Sequence, residues 1–402
     1  VLTQTISWAQ DTIVISKKEI INKAADKNLQ IKIADQSFKA AQADYRQSNA
    51  LFLPSITASH TGISTTNPLM AFGSKLNQEI LTQADFNPAL LNNPARTQNF
   101  ATKIEILQPL INIDGYYGRQ AAKAKMEAFQ LQTKRTKEYL ELEINKAYMQ
   151  LQLAYKAVTV LNKANTTALS NLQVVNNYFK QGMLQKTDVL TVEVRVNEIK
   201  NQLQYAKSNV QNASDYLAFL INEDLSNSVF KPLEALENSI NTITTNPLIS
   251  GERKDLLAMD QSVKAYEKMA QSSQMNFLPR LNAFGSYELY DKNILGMGAS
   301  GYLVGAQLSW NVFDGYKSIG KMEKAKAEHQ KSSIENQQYK AQSQIELNKT
   351  NRQLKDAENK VNLTQLALQQ SEEAYRIRNN RFQQGLEKTS DLLQAATQMS
   401  QK

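Results

Sequence analysis

The sequence of 402 residues excludes several classes of protein by its composition. Gly (14) and Pro (8) are scarce, which favours long helices over sandwiches. Cys is absent and only two His are present, so disulfide frameworks, thiolate metal sites and histidine-based metal or acid–base sites are not expected. The sequence also shows no cluster of nucleophile, base or metal ligands, so we expect no catalytic residue, metal or cofactor. The formal charge of +8 comes from basic residues that alternate with Glu and Asp along helical stretches, which predicts a solvated surface and no nucleic-acid partner.

The first predicted elements are a leader-like stretch and a helix. Residues 1–10 resemble the tail of a secretory signal. An amphipathic helix is predicted over about residues 17–51. It is followed by a Phe-Leu-Pro sequence, after which the residue pattern changes from a helical to a strand period.

Alternating apolar and polar residues predict a pair of strands at about residues 53–64 and 99–111. Each has the length of a tilted strand that spans a membrane. The alternative is a water-soluble antiparallel sheet that packs on a helix. Aromatic residues near the ends of these strands and of two later ones favour a membrane interface; the candidates are Phe52, Phe277, Trp310 and Phe313.

The segment between these two strands, residues 65–96, is unusually long. Long loops of membrane barrels face the outside of the cell. Its apolar residues predict that it folds over the mouth of the barrel; they include Leu69, Met70, Phe72, Phe86, Leu90 and Leu91.

Two long helices are predicted next, at residues 115–181 and 186–222. Their apolar residues recur in steps of four and three, and no proline interrupts them. Gly182 lies between them and can take positive φ, which predicts an antiparallel helical hairpin. The first helix would be about 95 Å long at 1.5 Å per residue, more than a globular domain measures.

The remainder repeats this plan. An inter-repeat segment, residues 223–252, separates a first repeat at 11–222 from a second at 253–402. The last predicted helix stops in mid-pattern, so we expect the intact protein to continue beyond it. The second repeat has these predicted elements: strands at about 279–291 and 301–312, and helices at 315–384 and 388–402.

Three short sequences occur twice in the same order, which indicates an internal duplication. The three pairs are Phe52–Pro54 with Phe277–Pro279, Asn112–Gly115 with Asn311–Gly315, and Phe179–Gly182 with Phe382–Gly385.

The four predicted strands of one chain cannot close a barrel, and a lipid-exposed sheet cannot keep open edges. Three chains with four strands each are therefore predicted to share one barrel.

With its three repeated pairs of short sequences, the chain resembles the TolC-like outer membrane efflux proteins over about residues 17–402. The resemblance implies a mainly α chain with a membrane β-barrel part, built from a duplicated unit of helix, β-hairpin and long helical hairpin. In that family a homotrimer forms a twelve-stranded β-barrel in the outer membrane and a twelve-helix α-barrel in the periplasm of a Gram-negative bacterium.

The same resemblance implies a passive exit duct for small molecules or peptides in efflux or type I secretion. Its partners would be outer-membrane lipid, a periplasmic adaptor (membrane fusion) protein and an inner-membrane transporter of the RND or ABC type. Asp114, Gly115, Asp314 and Gly315 would form the two strand-to-helix junctions.

The resemblance also places the periplasmic tips at the glycine turns. Adaptor contact is expected at Gly182, Met183, Leu184, Gly385 and Leu386. A tip gate or a helix cap is expected at a second set of residues, which comprises Asp188, Asp391, Phe382, Glu387 and Gln394.

The second tip departs from the family pattern. Phe382, Glu387 and Gln394 stand where the best-known member has Tyr, Arg and Asp. The gating bonds of that member therefore do not transfer to this chain. Arg378 and Arg381 are the nearest basic residues that can pair with acidic groups here.

Two other classes of protein share part of this pattern. A soluble periplasmic coiled-coil scaffold would use the strands only to cap its helices, and detergent dependence separates it from a channel. A periplasmic adaptor also has a long hairpin, but it adds a lipoyl-like β-domain rich in Gly and Val, which the sequence does not indicate.

Overall fold

The computed structural model describes residues 11–224, 228–236 and 247–402. The leader-like residues 1–10 and part of the inter-repeat segment lie outside the described residues. The helices and strands follow in this order: β1 (Asp11–Ile15), α1 (Lys17–Lys27), α2 (Leu29–Gln47), β2 (Ser55–Thr65), α3 (Pro68–Asn77), α4 (Pro88–Asn92), β3 (Thr97–Ile111), α5 (Ile113–Lys180), α6 (Lys186–Ile221), β4 (Ser228–Pro232), α7 (Lys254–Met275), β5 (Arg280–Asp291), β6 (Ala299–Ser309), α8 (Lys317–Gln383) and α9 (Thr389–Gln401).

The chain forms two compact units. The first comprises Val1–Asp35, Thr133–Arg253 and Tyr339–Lys402, and the second comprises Gln36–Gln132 and Lys254–Gln338. Each unit therefore contains segments from both repeats.

The second unit contains an antiparallel sheet of four strands in the order β2-β3-β5-β6. The central pair, β3 and β5, joins one strand of each repeat, and Ile104 pairs with Tyr287. The register shifts between Pro109 and Ile111 in β3. Pro109 has no amide hydrogen for the ladder, so a bulge at this position is expected.

The second repeat differs from its predicted bounds at the end of the sheet. Strand β6 ends at Ser309 instead of residue 312, and the Trp310 indole N–H donates to the Phe277 carbonyl at 3.0 Å. The next helix begins at Lys317 instead of residue 315. Gly315 and Tyr316 have φ values of +66° and +69°, and residues in this left-handed region cannot belong to a right-handed helix.

The helix predicted before the first strand is divided at Asn28, where α1 ends and α2 begins. The Asn28 side-chain amide donates to the Leu220 carbonyl at 2.7 Å, and its oxygen accepts from the Gln30 amide at 2.8 Å. The Asn28 side chain thus caps the start of α2 and ties the junction of the two helices to α6. The two longest helices, α5 and α8, have 68 and 67 residues.

The core of the first unit lies where α1, α5 and α6 meet the parallel pair β1 and β4. Tyr148 and Phe230 are its largest fully buried side chains. The Tyr148 hydroxyl donates to the Ile15 carbonyl at 3.2 Å and also bonds the Glu234 carboxylate. Burial, with Glu234 as the second cause, raises the pKa of Tyr148 to about 12.

None of the described helices has both the length and the apolar character that a membrane crossing needs.

Candidate functional site

One face of the four-stranded sheet is apolar and exposed. Tyr302 and Val304 on it are 82% and 75% exposed, far more than core residues. An apolar surface of this extent marks a contact with another apolar phase or partner. The register places these side chains on that face: Ile56, Ala58, Phe100, Ile104, Ile106, Leu281, Ala283, Tyr287, Tyr302, Val304, Ala306 and Leu308.

The opposite face is mainly polar. The Lys103 ammonium lies 3.2 Å from Glu105 and 3.6 Å from Glu288, so this face carries a small ionic network. Ser59, Asn282 and other polar residues share it by register. Apolar residues toward lipid and polar residues toward a lumen are the pattern of barrel strands in a membrane.

The sheet has two open edges within the described chain. Strands β2 and β6 pair with a neighbour on one side only. Backbone groups on an open edge are costly in lipid because water is absent there. The sheet of a single chain is therefore incomplete as a membrane structure.

The first strand-to-helix junction is held by an ion pair. The Asp114 carboxylate accepts from Arg280 Nε at 3.1 Å and from Nη2 at 2.5 Å. Arg280 also donates to the Asn276 side chain at 2.8 Å, and the Ser272 hydroxyl donates to the Asp114 carbonyl at 2.7 Å. The start of α5 is thus fixed to α7 and β5, the corresponding elements of the second repeat.

The second junction uses its Asp differently. The Asp314 carboxylate accepts from the Ser318 amide at 3.1 Å and from the Ser318 hydroxyl at 2.5 Å, so it caps α8. These hydrogen bonds lower the pKa of Asp314. The second repeat has one more residue between its Asn and its Asp than Asn112 and Asp114 have. The sequence predicted equivalent junctions, whereas the structure gives them different contacts.

The first tip is a compact turn after α5. Gly182 has φ +76°, and the Met183 amide donates to the Tyr178 carbonyl at 2.9 Å. Met183 is 62% exposed, whereas Leu184 packs against a buried cluster. The Asp188 carboxylate accepts from the Gln185 amide at 3.1 Å, so Asp188 stabilises the start of α6.

The second tip carries an ionic clasp in place of a cap. Glu387 accepts from Arg378 Nη1 and from Arg381 Nε, each at 2.8 Å. Asp391 lies 3.8 Å from Arg378, and α9 begins without a side-chain cap. Of the two acids in this ionic clasp, Glu387 is the more buried, with a side chain that is 11% exposed. Its ion pairs with the two arginines stabilise the turn.

The turn itself resembles the first one: Gly385 has φ +74° and Leu386 is 64% exposed. Gln394 is exposed on α9. The roles of these residues in adaptor contact or gating stay predictions.

A small apolar cluster joins the two hairpins of one chain near the tips. Phe382 is 2% exposed and packs with Val175 and its neighbours from three helices. The Tyr178 hydroxyl donates to the Gln383 carbonyl at 2.9 Å. The buried residues of this tip cluster are Val175, Val189, Val192, Phe382 and Leu392.

Comparison with known proteins identifies the family. The sequence profile of the outer membrane efflux protein family matches residues 20–223 and 248–402. This chain belongs to the outer membrane efflux protein family. The resemblance, the outer-membrane location and the channel function predicted from the sequence are thereby confirmed, and the channel is favoured over the soluble scaffold. No curated protein sequence matches the chain.

Solved structures show the same fold as this efflux protein. VceC from Vibrio cholerae is 16% identical, with a TM-score of 0.80 over 96% of this chain and 90% of VceC. CmeC of Campylobacter jejuni is 17% identical, with a TM-score of 0.77 over 96% and 80%. MtrE of Neisseria gonorrhoeae, in its open state, is 15% identical, with a TM-score of 0.72 over 96% and 83%. The predicted mainly helical channel fold is confirmed.

The family assignment also bears on partners and chemistry. Outer membrane efflux proteins form trimers and work with the other components of an efflux pump. They are channels and not enzymes.

The four predicted interface aromatics of this efflux protein are all partly or fully exposed. Phe52, Phe277, Trp310 and Phe313 are 52%, 38%, 63% and 75% exposed. The guanidinium of Arg119 lies 5.7 Å from the centre of the Phe52 ring. An exposed ring beside a cation suits a membrane interface, and this role stays a prediction.

Sequence reasoning missed Arg280, which holds the first junction, and Arg119, whose guanidinium lies beside the Phe52 ring. Arg280 is 166 residues from its partner Asp114. No periodic pattern relates two residues so far apart. The only available signal was charge: each arginine lies within a few residues of a repeated Phe-Leu-Pro or Asp-Gly sequence.

We expect Gly115→Ala to destabilise the second unit by about 1–3 kcal/mol. A Cβ on Gly115 would lie 2.3 Å from Leu51 Cδ1 and 2.6 Å from Cδ2. Urea unfolding in detergent measures the effect. Leu51→Ala should restore part of the loss in the double variant, because it removes the atoms that clash.

Gly118→Ala is the matched control on the same helix. Its Cβ would lie 3.6 Å from Ser272 Oγ, which is an ordinary contact. In a helix, Ala is favoured over Gly by about 1 kcal/mol, so this variant should be neutral or more stable. Equal stability of the two Ala variants would show that Leu51 does not restrict the junction.

Proposed function

We propose that three copies of this efflux protein form a passive exit duct through the outer membrane. The observation that carries the proposal is the four-stranded sheet with one apolar face, one polar face and two open edges. Three such sheets provide twelve strands, and pairing β6 of one chain with β2 of the next leaves no open edge. The apolar face then contacts lipid and the polar face lines the lumen.

The long helices extend this duct into the periplasm, with one helical hairpin from each repeat. In this proposal each chain contributes two halves to the wall of the duct, the repeats 11–222 and 253–402, and residues 223–252 connect them. The duct itself performs no chemistry. Its cargo, small molecules or peptides, is delivered by an inner-membrane transporter of the RND or ABC type through a periplasmic adaptor.

The tips are the surface that we assign to the adaptor. The exposed side chains Met183 and Leu386 project from the two turns, next to Gly182 and Gly385, and Leu184 lies beside the first turn. A Met183→Asp, Leu386→Asp variant that assembles and still supports full efflux would rule out this assignment.

The assembly itself is tested with the purified 402-residue chain in detergent. The protein component is expected to have three times the chain mass of 45.3 kDa and to give discrete conductance steps in planar lipid bilayers. A chain that stays monodisperse and monomeric without detergent would contradict the duct. Native mass spectrometry measures the stoichiometry directly.

A further inference from the structure

The segment between β2 and β3, residues 66–96, packs on the polar face of the sheet. We call it the mouth segment. Thr97 and Asn99 are 7% and 6% exposed, whereas Gln98 between them is exposed. By register Thr97 and Asn99 lie on the same face of the sheet as Lys103. The Gln78 side-chain amide donates to Asn99 Oδ1 at 2.8 Å. Helix α3 therefore covers the face that lines the lumen in the proposed barrel.

Helix α3 has a packed side and an apolar free side. Ala71, Ser74 and Gln78 follow each other at helical spacing and are at most 6% exposed. Leu69 and Leu76 lie on the opposite side of the helix and are 81% and 56% exposed. Since the packed side rests on the sheet, the two leucines point away from the sheet, toward the centre of the lumen.

The mouth segment is a folded element with its own internal bonds. The Lys75 ammonium lies 2.7 Å from the Asp85 carboxylate, which also accepts from the Thr82 amide and hydroxyl at 2.8 Å. Phe72 packs edge-to-face on Phe86 with centroids 5.7 Å apart. The hydrogen bonds from Lys75 and Thr82 lower the pKa of Asp85 to about 2, so the ion pair persists at physiological pH.

We propose that the α3 helices of three chains pack against one another through Leu69 and Leu76 and close the outer mouth of the duct between its conducting openings. The inference rests on the proposed trimeric barrel. Leu69 and Leu76 are two helical turns apart, with Gly73 between them, and form an apolar stripe along α3. In a water-filled lumen this stripe would be exposed to water, which is unfavourable. Threefold symmetry places the same stripe of the other two chains opposite it, and helices approach closely across a small residue.

The proposal is tested first by cross-linking. The chain has no cysteine, so Leu69→Cys introduces a single thiol per chain. Mild oxidation of intact trimers is expected to join two of the three chains, which leaves a dimer and a monomer on a denaturing gel. Tyr302→Cys, 82% exposed on the outer face at the same end of the sheet, is the control and should stay monomeric.

Absence of the cross-link from trimers that are intact by native mass spectrometry would overturn the closed mouth. A purified chain that never forms trimers would overturn the proposed function instead, so the two failures are distinguishable.

The second test measures access to the lumen from outside intact cells. Ser59 pairs with Lys103 on the polar face, below the mouth segment. A bulky maleimide is expected to label Ser59→Cys at least tenfold faster when Leu69→Asp is added, because three carboxylates cannot share one apolar contact. Equal labelling rates, with equal trimer levels, would contradict closure by α3.

Discussion

Replacing Val304 with Arg is expected to remove the trimer of this efflux protein from the outer membrane. Val304 lies in the middle of β6 on the apolar face and is 75% exposed. An Arg near the bilayer midplane on the lipid face of a barrel costs about 2–4 kcal/mol. Three chains carry the substitution, so the cost per trimer is about 6–12 kcal/mol, comparable with the whole stability of a folded domain.

Leu303→Arg is the matched control. Leu303 is the preceding residue of the same strand and is 59% exposed, but its register partner is Ser286 on the polar face. The new Arg would stand in the water-filled lumen, so normal trimer levels are expected. Outer-membrane fractions run on denaturing gels without heating measure both variants. Equal levels of the two trimers would show that the apolar face does not contact lipid.

Replacing Phe382 with Ala is expected to destabilise the tip by about 3–5 kcal/mol. The ring is 2% exposed, and its centroid lies 5.8 Å from that of Tyr178. Its loss leaves a cavity in the cluster that joins the two hairpins. Amide hydrogen exchange of Val175 and Val189 in the intact trimer is the measurement, and rates at least about 100-fold faster are expected.

Phe179 is the equivalent residue of the first repeat and serves as the control. It is 38% exposed and contacts only the Lys186 ammonium, 5.8 Å from its ring centre, among the described ring interactions. Phe179→Ala is therefore expected to cost less than about 1.5 kcal/mol. If Phe382→Ala left hydrogen exchange and single-channel conductance as they are in the Phe179 variant, the tip cluster would not hold the hairpins together.

Much of the fold could be predicted because its signals are local and periodic. The heptad-like steps of α5 and α6 and the alternation in β6 reflect which side of an element is buried, and each turn is marked by Gly182 or Gly385. Contacts between residues of different repeats leave no such periodic pattern in the sequence. Asp114 and Asp314 occupy equivalent places in the sequence, but one binds Arg280 and the other caps α8.

The tips show the same limit. Phe179 and Phe382 stand at the same place in a repeated sequence, and yet only Phe382 is buried. The difference arises where the two hairpins of one chain pack on each other, which a single-repeat pattern does not contain. The ion pairs of Glu387 were partly predictable, since Arg378 and Arg381 are the nearest basic residues in the sequence. Their geometry, however, depends on the turn at Gly385.

The open edges of β2 and β6 have a consequence for how the protein is made. A newly exported chain cannot complete its own membrane sheet, so insertion has to wait for an encounter among three chains. The rate of such a step falls steeply as the pool of free chains shrinks. Free chains that are degraded in the periplasm before they meet two partners are lost to assembly, and at low expression this loss grows, so halving synthesis should then lower channel number by more than half. The gene dose, and not only the gene, then becomes a determinant of how much the cell exports.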